Sequence, residues 1–200
     1  MNFLAHLYLS GNNEEIIVGN LLGDFMRGKK IESFPSGIAK GIQIHRKIDV
    51  FTDTHPIVLQ TKNRLRPFFN HYSGVIIDIY YDHFLASNWA TYNDISLKDF
   101  TTTCYDILKK NRAVFPPRFQ QALKYKRFRN LLCSYSKISG IKFAFNRLAN
   151  RTSYPSNLKY ATCELENNYG IYHQEFKEFF PELMEYAKEI MELEKKIRII

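Results

Sequence analysis

Apolar residues recur along this chain at helical spacing. Between Gly41 and His55, Ile42, Ile44, Ile48 and Phe51 mark one buried face, and the same rhythm returns at Val75, Ile76, Ile79, Phe84 and Leu85. No internal repeat, low-complexity tract or convincing β alternation interrupts it. The expected fold class is therefore all-α.

Punctuation residues divide the pattern into elements. Asn2 to Leu9 is mostly apolar with His6 in its midst. Asn12 or Asn13 caps a helix running through Glu14 and Glu15 to about Leu22. Gly23-Asp24-Phe25 then reads as a turn that aims Asp24 inward. Arg27 to Lys30 is a polar loop, and Pro35-Ser36 starts a helix that ends near His55, before Pro56. A short helix from Pro56 to about Arg66 is expected to stop at Pro67, and a longer one spans about Asn70 to Asn88. Ser96 followed by Asp99 opens a helix to about Lys110 in the manner of a capping box. Beyond the break at Pro116-Pro117, two basic, aromatic-rich helices cover about Arg118 to Tyr135 and Ile138 to Asn150. Pro155 and Pro181 punctuate the last third, which ends in a charged helix, Glu182 to Lys196.

A chain of 200 residues is the length of one domain, and residues 1–200 are read as one. Its longest apolar runs, Gly74 to Ile77 and Ile138 to Phe145, fall far short of the roughly 18 to 20 residues that span a bilayer. Met1 to Leu9 lacks the basic start of a signal peptide. The expected location is cytoplasmic. Cys104, Cys133 and Cys163 are odd in number, widely spaced and outside any CxxC arrangement, which argues against a disulfide framework or zinc knuckle and for core positions.

Charge changes the picture. The net charge is +8, yet from Ile107 to Cys163 there is no Asp or Glu against 13 Lys and Arg, so the rest of the chain is net negative. Such a segment attracts a polyanion: nucleic acid, an anionic membrane face or an acidic protein.

The candidate chemistry lies in G-I-Q-I-H-R-K-I-D-V-F-T-D-T-H, Gly41 to His55, and in D-I-Y-Y-D-H, Asp78 to His83. His45, Asp49 and Asp53 fall at successive four-residue steps, forming one stripe on a helix. Asp78 and Asp82 repeat the step, and His83 follows. Either segment alone fits an ordinary surface pair. Together, on helices with apolar flanks, they place carboxylates where burial demands a counter-charge. Arg46 supplies part of it, and a divalent ion held between the two helices, packed face to face, would supply more. Oxygen ligands with one or two imidazoles and no nearby thiolate favour Mn²⁺ over zinc, with Mg²⁺ as the alternative.

Four stretches also carry a resemblance: M-N-F-L-A-H-L-Y-L-S at the start, then G-N-L-L-G-D-F, I-H-R-K-I-D-V-F-T-D-T-H-P, and D-I-Y-Y-D-H-F-L-A followed by Trp89. With them the chain resembles the acyl carrier protein phosphodiesterase family, a divergent branch of the HD-type metal phosphohydrolases, nearly end to end. The resemblance implies an HD-domain-like helical fold. It also implies manganese-dependent removal of the 4′-phosphopantetheine arm from holo acyl carrier protein. The family's motif positions are occupied by Asp24, His45, Asp49, Asp53, Asp78 and Asp82, expected as metal ligands, and by His6, His55 and His83. These exceed what one six-coordinate ion can use, so some orient ligands or handle protons. His83 or His55 is the candidate to protonate the leaving serine oxygen, and Arg46 to hold the phosphate. The chain departs from the usual HD signature in having no His-Asp dipeptide. An acidic acyl carrier protein is the expected partner, docking on segment 107–163.

Two other classes compete. An HD-type nucleotide or cyclic-nucleotide phosphohydrolase would use the same metal site. A non-enzymatic nucleic-acid-binding protein would explain the charge and leave the carboxylates without purpose.

Overall fold

Helices form nearly all the regular structure of the computed structural model, which describes residues 2–26, 31–125, 127–152 and 156–196, with side chains to 193. They are α1 (Phe3–Tyr8), α2 (Glu14–Gly23), α3 (Ser36–Thr54), α4 (Pro56–Phe69), α5 (Ser73–Ser87), α6 (Leu97–Lys110), α7 (Pro117–Lys124), α8 (Arg127–Ser134), α9 (Ile138–Ala149), α10 (Ala161–Asn167) and α11 (Tyr169–Lys196). There is no strand among the described residues, so the fold is all-α as expected. No described helix is long and apolar enough to cross a membrane. The loop expected at Arg27 to Lys30, Lys126 of the basic segment, and Pro155 lie outside the described residues.

Two expected caps are present. Asn13 accepts a hydrogen bond from the Ile16 amide at 3.1 Å, and Ser96 accepts one from the Asp99 amide at 3.1 Å. One hydrophobic core runs through the described helices, with Tyr80, Tyr81, Phe84, Tyr172, Phe176 and Phe180 among its largest fully buried side chains. Of the cysteines, only Cys104 is buried; Cys163 is exposed, contrary to its expected core position.

Three helix boundaries differ from the sequence reading, each for a packing reason. Pro67 lies inside α4, in its last turn, where the hydrogen bond it cannot donate is offset by the burial of Phe69 two residues on. Pro181 likewise lies inside the 28-residue α11, where Phe179, Phe180 and Leu183 on either side of it are fully buried. Conversely, the single helix expected from Arg118 to Tyr135 is two. On a continuous helix Phe119 and Phe128, nine residues apart, would sit about 180° from one another. The interruption at Tyr125 lets both turn inward and meet, their ring centroids 4.9 Å apart.

The core of the site is a close pairing of α2 and α3, reached through glycines. A Cβ on Gly19 would overlap the Ile38 carbonyl and lie 2.8 Å from the Gly41 Cα, and one on Gly41 would lie 2.6 Å from the Ile16 carbonyl. Only hydrogen fits at either point. One turn further along both helices, Gly23 meets His45, whose ring occupies the space a Cβ would need. This register also corrects the expected face-to-face packing of α3 on α5. The main partner of α3 is α2, while α5 packs on α1 and α4.

Candidate metal centre

Four side chains from α1, α3 and the end of α2 converge. His6 Nε2 lies 3.2 Å from Asp49 Oδ1, and His45 Nε2 lies 3.1 Å from Asp49 Oδ2. His45 Nε2 is also 4.0 Å from Oδ1 of Asp24, the residue that terminates α2. The two imidazoles stack with centroids 4.1 Å apart. Ligand atoms of His6, His45 and Asp49 all lie within 4.8 Å of one another, a span one ion can bridge.

The protonation of His6 is set by its surroundings. Asn20 is fully buried, and its Nδ2 donates to the His6 carbonyl at 3.0 Å and to Ser10 Oγ at 2.9 Å. Its Oδ1 therefore faces His6 Nδ1, at 2.8 Å, and must accept a proton from it. Burial, with the neighbouring His45 adding to it, lowers the His6 pKa to about 4 against the opposing pull of Asp49, so the ring is neutral at pH 7. Nε2 then presents a lone pair to Asp49. Burial pushes the Asp49 carboxyl up, but the facing nitrogen of His45, the larger of the opposing contributions, holds it well below the usual carboxylate range, so it is ionised. A lone pair and a carboxylate oxygen at 3.2 Å form a pair that a cation could bridge. His45 adds a second unsettled nitrogen: its buried Nδ1 has no hydrogen-bond partner among the described residues.

The remaining sequence candidates lie elsewhere. Asp82 is fully buried, but its carboxylate accepts from the Leu4 and Ala5 amides at 2.9 and 3.0 Å, capping α1 and so fixing the helix that carries His6. Asp53 is exposed and pairs with Lys62 at 3.1 Å. His55 Nδ1 accepts from the Ile57 amide as the cap of α4, leaving Nε2 to face Glu182 at 3.3 Å. His83 bonds the Tyr135 carbonyl through Nδ1 at 2.7 Å and the Tyr169 hydroxyl through Nε2 at 3.2 Å. None of these four joins the cluster. Asp78 is half-buried; burial raises its pKa and the charges of Asp49 and Asp53 add to the rise, which places it near the acidic face of α3. Arg46 is exposed at the rim and donates to the Met26 carbonyl at 3.4 Å.

Asn20 and Ser10 lie within the resembling stretches but carry no role in the sequence reading. The available signal was a polar amide in the apolar run I-I-V-G-N-L-L-G, whose neighbours from Ile17 to Leu22 are all buried. Leu22, Phe25 and Met26, which flank Asp24 in the chain, help line with Phe34, Phe115 and Pro116 a mostly apolar cleft of about 470 Å³, a size that suits part of a small organic ligand.

The family model for acyl carrier protein phosphodiesterase matches residues 1–183. This chain belongs to that family. Among curated relatives called acyl carrier protein phosphodiesterase, one from Escherichia coli O45:K1 is 34% identical over 188 residues, covering 94% of this chain and 97% of the relative. Another, from Enterobacter sp. (strain 638), is 32% identical over 189 residues, 94% of this chain and 98% of the relative. A third, from Photorhabdus laumondii, is 31% identical over 192 residues, 94% and 96% of the two chains. Acyl carrier protein phosphodiesterases are by name phosphoric diester hydrolases, which agrees with a carboxylate and imidazole cluster beside a cleft. No solved structure matches the chain.

Proposed function

We propose that this protein removes the 4′-phosphopantetheine group from holo acyl carrier protein by hydrolysing the phosphodiester to its serine, with Mn²⁺, or Mg²⁺ in its place, held by His6, His45, Asp49 and Asp24. The observation that carries this reading is the approach of His6 Nε2 and His45 Nε2 to the two carboxylate oxygens of Asp49, at 3.2 and 3.1 Å, with the two rings stacked. Two imidazoles and two carboxylates suit a divalent first-row ion, and no cysteine is among them. This helix-borne set also supports the HD-like relationship. Bound there, the ion would neutralise charge on the phosphoryl oxygens and make water a stronger nucleophile at neutral pH.

The chain's own residues do the rest. Asp49 bridges the two rings, and Asp82 holds His6 in place by capping α1. Arg46, exposed beside His45, is positioned to pair with the phosphate. The apolar cleft next to Asp24 offers room for the departing arm. His55 and His83 support helices in this reading.

Docking falls to the acid-free segment. Tyr125 is exposed between the Lys124 ammonium at 5.6 Å and the Arg127 guanidinium at 5.2 Å, while the exposed Phe143 and Tyr160 have Arg147 and Lys159 over their rings. Cations already ordered over aromatic faces suit an acidic protein partner. The test is a mass spectrum of holo acyl carrier protein before and after incubation with the protein and Mn²⁺. Loss of the phosphopantetheine mass is expected; an unchanged spectrum alongside hydrolysis of a nucleotide would redirect the reading to a nucleotide phosphohydrolase.

A further inference from the structure

A polar network stands behind His6, on the side away from Asp49. Ser10 Oγ donates to the His6 carbonyl at 2.7 Å and accepts from Asn20 Nδ2 at 2.9 Å, and the same Nδ2 reaches the His6 carbonyl at 3.0 Å. All three residues are within 1% of complete burial, where an unsatisfied amide or hydroxyl is costly. Turning the Asn20 amide over would set its oxygen against the His6 carbonyl oxygen and its NH₂ against a protonated Nδ1. The orientation is thus determined by three contacts, and the ring nitrogen that carries the proton is determined with it.

We propose that Asn20, locked by Ser10, is the positioning residue of the metal centre: by accepting the Nδ1 proton of His6 it keeps the Nε2 lone pair directed at the ion. The inference rests on His6 being a ligand, as in the proposed function. Its physical basis is that an imidazole ligand is oriented, and its tautomer chosen, by whatever its other nitrogen bonds. A carboxylate or backbone carbonyl commonly fills that place; here a side-chain amide does, from the helix that also ends in Asp24. Gly41 belongs to the same device. A Cβ there would come within 2.8 Å of the Asn20 backbone nitrogen, so the close pairing of α2 with α3 also fixes the main chain from which the Asn20 side chain projects.

Three readouts separate this role from ordinary structural support. Nitrogen NMR of the metal-free wild-type chain should show His6 protonated on Nδ1 and bare on Nε2; a proton on Nε2, or a mixture, overturns the proposal without any substitution. Asn20→Leu should keep the helical circular dichroism and weaken Mn²⁺ binding roughly 10- to 100-fold. Asn20→Asp, which retains an acceptor for the Nδ1 proton but sets its second oxygen against the His6 carbonyl, should lower the midpoint in urea yet keep more Mn²⁺ affinity than Asn20→Leu. His6→Ala distinguishes the two levels of the argument. If His6→Ala loses Mn²⁺ and Asn20→Leu binds it as wild type does, the positioning role is wrong and the site stands. If His6→Ala binds Mn²⁺ like wild type, His6 is no ligand and the metal-site reading itself fails.

Discussion

Helices α3 and α5 carry acids at the same four-residue step, and their side chains come to different ends. On α3, His45 and Asp49 face α1 and α2, meet His6, and form a polar cluster that a cation could bridge. On α5, Asp82 turns to the amides of α1 and His83 to a backbone carbonyl and a tyrosine. The difference arises in the partners. The first stripe faces the imidazole of His6 on α1 and the glycine Gly23 on α2; the second faces the start of α1, whose free amides satisfy a carboxylate without any ion. Identical spacing therefore joins a polar cluster in one helix and caps a neighbouring helix in the other.

The comparison breaks most sharply at the cluster. His45→Ala and Asp49→Ala should each lower Mn²⁺-dependent hydrolysis of holo acyl carrier protein by roughly 100-fold or more while leaving helical content intact, since each removes an ion contact rather than core volume. Near-normal turnover in either would take that residue out of the site. Gly23→Val should come next, because its side chain must displace the His45 ring. Overpacking of this kind costs about 1–3 kcal/mol, seen as a lower midpoint in urea together with weakened Mn²⁺ binding.

On α5 the expected effect is on stability. Asp82→Ala leaves two buried amides without acceptors and should cost about 2 kcal/mol. The pH dependence sharpens the point. Burial pushes the Asp82 pKa up to about 7 even though the Leu4 and Ala5 amides favour the ionised form. The folded chain then holds this proton at pH values where the unfolded chain has released it. Stability linked to Asp82 is complete below the ordinary carboxylate pKa of about 4 and is lost as pH rises through about 7. Relative to Asp82→Asn, which cannot titrate, metal-free wild type should lose stability between about pH 4 and 7 in thermal melts. A difference that stays flat with pH would show that Asp82 is ionised throughout.

Smaller effects are expected away from both stripes. Lys124→Glu with Arg127→Glu should raise KM for the carrier protein about fivefold at low salt with kcat little changed, because exposed charges contribute to encounter rather than to the reaction. The difference should shrink as salt is added. A loss of kcat on a small phosphodiester would place these residues in the active site instead. Asp53→Ala completes the series: exposed and paired only with Lys62, it should change stability by less than about 0.5 kcal/mol and leave activity unaltered. Strong inactivation there would mean that the α3 stripe extends a turn further than the structure places it.

The sequence by itself determined the helical class, most element boundaries, the family, and the choice of His45, Asp49 and Asp24 as candidates, because these depend on periodicity, caps and motifs that are local in the chain. Three features depended on tertiary structure. Whether Asp82 ligates or caps depends on the amides of α1, 77 and 78 residues away along the chain. The break between α7 and α8 follows from a core that both Phe119 and Phe128 must reach, which overrides a run of good helix formers. The proton of His6 is placed by Asn20, and nothing local marks that amide as a hydrogen-bond acceptor for a ring on another helix. In each case a side chain chose between partners that only packing brings within hydrogen-bond or van der Waals range, and such choices leave no periodic trace in the sequence.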